Sequence, residues 1–307
     1  QLGYIGPDYS DGGTFYSAIT GLSQTGNAIG YSIRNPAGGY ASTGWYVAAT
    51  GAILNVGLTG AGYTNIYGQS SNRPELITES GWVAGSTSRY TPYYAGTAVF
   101  VQNAQSGGAH RVGLYAVEQT NSFGETDNRL IYLKEDGSTA GYSLGTNYAW
   151  AADSSGNSSL IGLYDSAFGN SSVGYQTAIS GMTESGYVWG TSRRIAGGFA
   201  GWLFSVESGT QISLSDFDLT SPTGYGTSAF RGVTESGIGY GYYFLYDAEE
   251  GIGRETAFIW SESLGFVSIS NEISGGIEQY GWENFASAYA TSNGLFAGNG
   301  LLSDGSQ

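Results

Sequence analysis

The sequence contains no cysteine, and only one histidine, one lysine and one methionine among its 307 residues. Without cysteine the chain forms no disulfide, no thiolate zinc site and no thiol nucleophile. A single imidazole is too few for a histidine-based metal centre, and any Ser-His-Asp triad would have to use that same residue, His110. His110 begins a short apolar run beside Arg111, so we expect it to be an ordinary residue at the end of a strand.

Positive charge is also scarce. Lysine and arginine together number 10 against 25 aspartates and glutamates, which gives a net charge of −15. Double-stranded nucleic acid and anionic lipid surfaces are bound by clustered basic side chains, which this chain lacks. No apolar run reaches the roughly 18 residues that cross a bilayer. We therefore expect no nucleic-acid partner and no insertion into a membrane.

Glycine and aromatic residues are abundant instead, with 52 Gly, 25 Tyr, 13 Phe and 7 Trp. Chains built from helices are rich in Ala, Glu, Lys and Leu, because these side chains lose little freedom in a helix. The composition here favours strands joined by turns. Hydrophobic residues make up 40% of the chain, which is enough to bury a core, so disorder is not expected.

A short phrase recurs along the whole sequence. Thr-Glu-Ser-Gly begins at Thr78, Thr183 and Thr234, and looser copies are Gln24-Thr25-Gly26, Glu135-Asp136-Gly137 and Ser292-Asn293-Gly294. The last glycine of each copy is followed by another glycine four residues later, at Gly30, Gly85, Gly141, Gly190, Gly241 and Gly298. Copies recur about every 53 residues, and such a period is typical of stacked or circular repeats.

Each copy predicts four short strands, which we name a, b, c and d. Strands a and b flank the recurring turn, strand c carries aromatics such as Trp45 and Trp202 after a longer loop, and a second glycine turn leads to strand d. Four strands repeated six times predict an all-β fold, a six-bladed β-propeller that occupies residues 1–307 as a single domain. A β-solenoid or another stacked β-repeat is the alternative.

The two ends complete this prediction. Leu2-Gly3-Tyr4-Ile5 resembles an isolated strand d, whereas the last copy supplies only strand a around Ala286–Tyr289 and strand b around Leu295–Gly298. We expect the N-terminal strand to close the last blade, which then lacks one strand c. Either the natural chain continues beyond Gln307, or one blade has an open position.

The strand Thr256-Ala257-Phe258-Ile259-Trp260, after a glycine-ended turn, resembles the bacterial extracellular HAF repeat, named for a His-Ala-Phe strand. Thr256 stands where that family has histidine. The resemblance covers all six copies loosely. It implies a secreted or cell-surface protein and carries no catalytic residues.

Ligand-binding candidates lie on the predicted b–c loops, because arginine grips carboxylates and sulfates while tyrosine suits sugars and protein partners. They are Arg34, Arg89, Arg193, Arg194, Tyr40, Tyr90, Tyr93 and Tyr94. The alternative is that the recurring arginines stack on aromatics as part of the structure.

The glutamates of the tight turns are interpreted as solvated polar residues, the alternative being a ring of cation sites. Oxygen-rich turns at Asp8–Gly13 and Asp153–Asn157 allow Ca²⁺, and no other cofactor or metal is expected.

The function favoured by these residues is that of a secreted, non-catalytic structural protein that self-associates into a fibre or layer. An uncharged edge made by Leu2, Tyr4, Leu295, Phe296 and Leu301 would accept a strand from another copy. A lectin-like protein that binds a polysaccharide is one alternative. The other is a polysaccharide lyase with tyrosine as base and arginine neutralising a uronate. A non-catalytic role is favoured because no pair of convergent carboxylates is selected by spacing.

Overall fold

The computed structural model describes residues 2–11, 14–34, 41–91, 93–115, 126–143, 147–169, 174–217, 220–246, 253–272, 277–291 and 296–302. The described strands are β1 (Ser10–Asp11), β2 (Thr14–Phe15), β3 (Ser17–Leu22), β4 (Ala28–Arg34), β5 (Ala41–Val47), β6 (Ile53–Val56), β7 (Asn72–Ile77), β8 (Trp82–Tyr90), β9 (Tyr94–Asn103), β10 (His110–Val112), β11 (Thr126–Leu133), β12 (Thr139–Ser143), β13 (Tyr148–Ala152), β14 (Ser158–Ile161), β15 (Thr177–Met182), β16 (Tyr187–Arg193), β17 (Gly198–Ser205), β18 (Gln211–Ser213), β19 (Gly226–Val233), β20 (Gly239–Tyr246), β21 (Gly253–Ser261), β22 (Gly265–Ser268), β23 (Trp282–Ala290) and β24 (Phe296–Leu302). Helical turns occur at Pro7–Tyr9, Leu214–Phe217, Ile269–Glu272 and Glu278–Tyr280. The predicted all-β class is confirmed.

The strands follow one another as antiparallel four-stranded meanders, which we call repeats 1 to 5: β3–β6, β7–β10, β11–β14, β15–β18 and β19–β22. The pair β23 and β24 supplies the described strands of repeat 6. A short parallel contact joins β9 to β11, and an equivalent one joins β17 to β19. The four-strand pattern read from the sequence is therefore present in each of repeats 1 to 5.

The chain divides into two compact units, residues 1–160 and 161–307, and the division falls inside β14. In the first unit, repeats 1 and 2 pack through Tyr46 and Phe100, and repeats 2 and 3 through Val99 and Trp150. In the second unit, Leu203 of repeat 4 packs in one cluster with repeat 5. Burial between neighbouring meanders is what makes each repeat depend on the next. That residues 1–307 form a single domain remains a prediction.

Strand c places one large aromatic at the same register position in each meander. The cross-strand pairs are Gly30–Trp45, Gly85–Phe100, Gly141–Trp150, Gly190–Trp202 and Gly241–Phe258. Each of these five aromatic side chains is buried. A side chain on the glycine would meet a backbone carbonyl of strand a, and in most repeats the aromatic ring as well. This close packing explains why a glycine recurs four residues after every turn.

The recurring turn closes on itself through the hydroxyl of its first residue. In repeat 2, Thr78 Oγ1 accepts from the N–H of Trp82 at 3.0 Å and hydrogen-bonds Ser80 Oγ at 3.0 Å. Gly81 adopts φ +85°, a conformation that glycine reaches without strain. The turns beginning at Thr183 and Thr234 repeat both hydrogen bonds.

The a–b and c–d turns lie at one end of each meander, which we call the turn edge. The N–H of Ala104 donates to Gly81 O at 3.1 Å, and that of Val206 to Gly186 O at 3.0 Å.

The predicted long b–c loop is wrong in repeats 2 and 4, because strands b and c keep pairing outward as far as Tyr90–Tyr94 and Arg193–Phe199. These hairpin tips contact the preceding d–a loops, and together they form the loop edge.

Candidate functional site

The glutamates of the recurring turns bind the backbone of the preceding repeat. The Glu79 carboxylate accepts from the N–H groups of Gln24 and Thr25 at 2.7 and 2.9 Å. The Glu135 carboxylate accepts in the same way from Glu79 and Ser80, both at 2.9 Å. Each turn is therefore fastened to the one before it by a charged acceptor.

The same contact occurs in the second unit. The Glu235 carboxylate accepts from the N–H groups of Glu184 and Ser185 at 3.2 and 2.8 Å. We call these three contacts the carboxylate clasps. Sequence reasoning interpreted these glutamates as solvated turn residues, with a ring of cation sites as the alternative, and did not predict the clasps. The recurrence of glutamate at one turn position was the signal for a shared structural role.

The clasps change the acidity of their carboxyl groups. Backbone hydrogen bonds from Gln24 and Thr25 lower the pKa of Glu79. Burial raises the pKa of Glu135, but hydrogen bonds from Ser80 and Glu79 outweigh it, so its pKa is also lowered. Donors aimed at a carboxylate stabilise its ionised form. Both groups therefore stabilise the fold as anions.

The arginines predicted as ligand-binding residues are engaged to different degrees within the first unit. Arg34 Nη2 pairs with Asp8 Oδ2 at 3.1 Å. The guanidinium of Arg89 lies over the ring of Tyr115, 5.4 Å from its centroid. These two contacts agree with the structural alternative, in which recurring arginines pair with acids and aromatics inside the protein. The third predicted residue of this region, Tyr40, lies outside the described residues.

The tyrosines of the β8–β9 hairpin lie close to one another at its tip. Tyr90 and Tyr94 make an edge-to-face contact with centroids 6.4 Å apart. Tyr93 is 76% exposed, and the hydroxyl of Tyr94 hydrogen-bonds Thr97 Oγ1 at 3.0 Å. The structure therefore brings the predicted tyrosines of repeat 2 together on the loop edge of the first unit.

In the second unit, Arg193 and Arg194 have opposite environments although they are neighbours. Arg193 is exposed and donates from Nη1 to Gln176 Oε1 at 3.1 Å. Arg194 is only 8% exposed and lies over the ring of Phe168, 5.1 Å from its centroid. Burial lowers the pKa of Arg194, and the nearby carboxylate of Asp165 offsets part of this effect. Arg194 is thus the buried cation of this loop edge.

A groove of about 650 Å³ opens on the turn edge of the second unit, between repeats 4 and 5. Its apolar surface includes Tyr187, Leu203 and Trp260, and its carboxylates are Glu207 and Glu262. Hydroxyl groups supply the remaining polar surface, from Ser205, Ser208, Thr210, Ser236, Ser261 and Ser263. Aromatic surface beside convergent polar groups is the usual composition of a small-ligand site.

Sequence reasoning missed this groove. The c–d turns of two successive repeats line it, and both carry glutamate, Glu207 in Ser-Val-Glu-Ser and Glu262 in Ser-Glu-Ser. The signal was this pairing of similar turns in adjacent repeats. Spacing alone did not show that both turns line one groove.

The residues of the predicted assembly edge are described in part. Leu2 is 43% exposed, while Tyr4 packs against a cluster that contains Trp45 and stacks on Tyr9 at 5.4 Å. Phe296 begins β24, where Leu301 is half-buried. Leu295 and the side chain of Phe296 lie outside the described residues.

Two carboxylates of the predicted Ca²⁺ turns already have partners within the protein, whereas the Asp11 side chain and residues 12–13 lie outside the described residues. Asp8 pairs with Arg34, and Asp153 accepts from the N–H groups of Ser155 and Asn157 at 2.9 and 3.0 Å. Within the described part of the chain, no three His, Asp or Glu side chains group as a metal site would need. The helices described there are all too short or too polar to cross a membrane.

No family model and no curated protein matches this chain. Several solved structures are similar to it. The β-propeller domain of the Trilobed protease from Pyrococcus furiosus, which has an open velcro topology, matches at TM-score 0.33 and 8% identity, covering 89% of this chain and 75% of that one. A glycosyl hydrolase from Bacteroides ovatus matches at TM-score 0.29 and 12% identity, covering 82% and 85%.

A structure from a study of two prolyl endopeptidases matches at TM-score 0.36 and 10% identity, covering 92% of this chain. This chain spans 38% of the length of that endopeptidase. TM-scores below 0.5 at such identities carry no argument about activity.

Proposed function

We propose that this chain is a non-catalytic carbohydrate-binding protein of the cell exterior, and that the groove between repeats 4 and 5 holds the sugar. The observation that carries the proposal is the composition of that groove. Tyr187, which is half-buried, offers apolar surface to a sugar ring, Trp260 forms part of the buried floor beneath it, and clustered serine and threonine hydroxyls surround them. Glu207 and Glu262 are exposed acceptors for sugar hydroxyl groups.

The charge of the groove favours neutral or amino sugars. Two carboxylates line it, no basic side chain does, and the whole chain carries −15. An anionic sugar would have to approach like charges, which costs free energy. A neutral hydroxyl or an ammonium group instead gains a charged hydrogen bond.

A binding role is favoured over the lyase alternative by the tyrosines. A lyase needs a tyrosine whose pKa is lowered towards neutrality. Burial instead raises the pKa of Tyr246, the tyrosine that interacts with Arg194. The groove glutamates are both exposed, whereas the acid of a glycosidase works in apolar surroundings that keep it protonated.

A glycan array of neutral, amino and uronic sugars tests this proposal. We expect binding of neutral or amino sugars, weakened about tenfold by Tyr187→Ala and by the double variant Glu207→Gln/Glu262→Gln. Tyr280→Ala is the matched control, because Tyr280 is 63% exposed and lies outside the groove. An array without bound sugar would refute the binding role. Release of reducing ends from a bound glycan would refute the non-catalytic part.

We also propose that the repeats close as a six-bladed propeller, with Leu2–Ile5 as the last strand of repeat 6. Gly3 adopts φ +88° beside Ser17 and Ser32, as Gly57 adopts φ +113° beside Asn72 in the next repeat. The N–H of Tyr4 donates to Ser32 Oγ at 2.8 Å, and that of Leu163 donates to Ser192 Oγ at 3.0 Å. Leu2–Ile5 are not assigned as a strand, but Gly3 and Tyr4 repeat the contacts of the two residues that follow strand d in other repeats, which supports Leu2 as the last residue of a strand d. A crystal structure with another blade count would refute this arrangement.

Secretion is the part of the proposal that rests on the HAF-like strands. Cell fractionation of the source organism tests it, because a protein confined to the cytosol would refute an exterior location.

Self-association is the second candidate function. Among the described residues β24 pairs with β23 alone, and Phe296–Leu302 contains no charged residue or proline. Such an edge accepts a further strand readily. We expect light scattering to detect oligomers of the chain that Leu301→Lys disperses. A monomer at every concentration tested would refute this candidate.

A further inference from the structure

The strongest unexplained feature outside the groove is the Arg194 side chain on the loop edge of the second unit. Its Nε is buried and has no hydrogen-bond acceptor among the described residues. The same part of the chain contains no ion pair to this guanidinium, although the residue is 8% exposed. A buried guanidinium is costly unless a partner compensates it.

Repeat 1 shows which partner suits this position. Arg34 and Arg194 both follow their strand-b glycine by four residues, and both have a buried, unpartnered Nε. Arg34 nevertheless binds a carboxylate, that of Asp8, through its terminal nitrogen at 3.1 Å. In repeat 1 the position therefore holds a carboxylate, whereas the equivalent Arg89 of repeat 2 lies over the ring of Tyr115. In repeat 4 the described acid that acts on Arg194, Asp165, accepts from the N–H of Ala167 at 2.7 Å and forms no ion pair with Arg194.

We propose that Arg194 binds the carboxylate of a uronic acid unit in an acidic polysaccharide. The guanidinium can present parallel N–H donors to a carboxylate, a geometry that lysine does not offer. This site is independent of the groove between repeats 4 and 5. The groove contains acidic groups, whereas this one contains a cation.

The surroundings of Arg194 favour a sugar over an acidic peptide. Phe199 and Tyr225 are 46% and 43% exposed, and Tyr225 makes an edge-to-face contact with Tyr246 at 5.6 Å. These residues belong to one patch: Phe199 pairs with Thr227, Thr227 hydrogen-bonds Tyr246, and Tyr246 interacts with Arg194. Aromatic faces beside a guanidinium suit the flat ring of a uronate, whose carboxylate lies at the ring edge.

Tyr246 contributes a hydroxyl donor to the patch. Burial raises the pKa of Tyr246, so the phenol stays protonated at neutral pH. A protonated hydroxyl donates to a carboxylate or a sugar oxygen, whereas a phenolate would repel the acid. The patch therefore binds a uronate without the base that a lyase needs.

Isothermal titration with an oligogalacturonate tests this inference, with a neutral maltooligosaccharide, sodium sulfate and a poly-glutamate peptide as comparison probes. We expect the oligogalacturonate to bind wild-type protein and to bind Arg194→Gln about tenfold more weakly. Arg194→Lys should lose most of the same affinity, because it keeps the charge but not the planar fork. Arg231→Gln is the matched control, since Arg231 is exposed and lies over the ring of Tyr242, and it should bind within about twofold of wild type.

The variants also separate this site from the groove. Glu207→Gln/Glu262→Gln should bind the oligogalacturonate as wild type does, whatever it does to neutral sugars. Circular dichroism and thermal midpoints check that Arg194→Gln is folded. If Arg194→Gln does not fold, Tyr246→Phe provides the second test, and we expect it to lower the affinity for oligogalacturonate less than tenfold. Equal binding by wild type and Arg194→Gln, no oligogalacturonate binding, or tighter binding of poly-glutamate or sulfate would each overturn the inference.

Discussion

The glycine beneath each strand-c aromatic sets how tightly two strands approach. Gly190 lies opposite Trp202, and a methyl group there would come within 3 Å of the Trp202 ring. We expect Gly190→Ala to lower the free energy of unfolding by about 1–3 kcal/mol through overpacking. Urea denaturation measures this.

Gly108→Ala is the matched control for that change. Gly108 is not held at positive φ, and a methyl group there would meet no atom within 4 Å. We expect the control to leave the unfolding midpoint almost unchanged. Equal effects of the two substitutions would contradict the packing explanation.

The aromatic partner of that glycine carries a buried polar atom. The indole Nε1 atoms of Trp45, Trp150 and Trp202 are buried without an acceptor in the described part of the structure, whereas Phe100 and Phe258 occupy the same repeat position. We expect Trp202→Phe to cost no more than about 1 kcal/mol, because losing an unpaired N–H offsets the lost volume. Trp202→Ala should cost about 3–5 kcal/mol. A large loss for the phenylalanine variant would show that the indole N–H has a partner, such as a bound water.

At the scale of single elements, the carboxylate clasps couple one hairpin turn to the next. The lowered pKa values of Glu79 and Glu135 mean that their ionised forms stabilise the folded state. This stabilisation is present above the unfolded pKa near 4.5 and is lost as pH falls through the lower folded value. Thermal unfolding followed from pH 7 to pH 3 should show it. We expect Glu79→Gln to lower the midpoint at pH 7 and to flatten its fall below pH 4.5.

Glu207→Gln is the matched control for the clasp. Glu207 is exposed in a c–d turn and accepts no backbone hydrogen bond among the described residues. We expect its variant to follow the wild-type pH profile. A Glu79→Gln profile identical to wild type would contradict a role for the clasp in stability.

The elements were predictable from local sequence to the extent that local chemistry fixes them. Turn glycines with positive φ determine where strands a and b end and begin. The Gly–aromatic pair determines which side of strands b and c faces the core. The b–c hairpins of repeats 2 and 4 were not predictable in this way. Polar residues such as Ser192 and Arg193 suggested a loop, yet they extend the strands because cross-strand pairing continues beyond the core. The clasps were missed for a related reason, since their acceptors and donors are about one repeat apart in sequence.

At the scale of the whole molecule, the candidate sites depend on which repeats differ from the others. The groove combines Tyr187 and Glu207 of repeat 4 with Trp260 and Glu262 of repeat 5. A repeat period shows only what the repeats share, so it does not reveal a site that depends on residues particular to two of them. The arginine position was predictable from its recurrence. Arg34 pairs with Asp8, whereas Arg194 has no ion-pair partner among the described residues. This difference depends on the geometry of the loops, which no simple sequence pattern predicts.

The repeats within each unit should unfold together, since neighbouring repeats share hydrogen-bond partners. Gly57 donates to Gln102 Oε1 at 3.1 Å, and Gly162 both donates to and accepts from Gln211 at 2.8 and 2.9 Å. The boundary between the two compact units falls inside β14, so one meander contains residues of both. Scanning calorimetry of the chain should therefore give one transition with equal calorimetric and van't Hoff enthalpies. Gly190→Ala should shift that whole transition, although the substituted residue lies in the unit formed by residues 161–307. Two transitions, of which Gly190→Ala moved only one, would show that the units fold independently and would contradict a single domain.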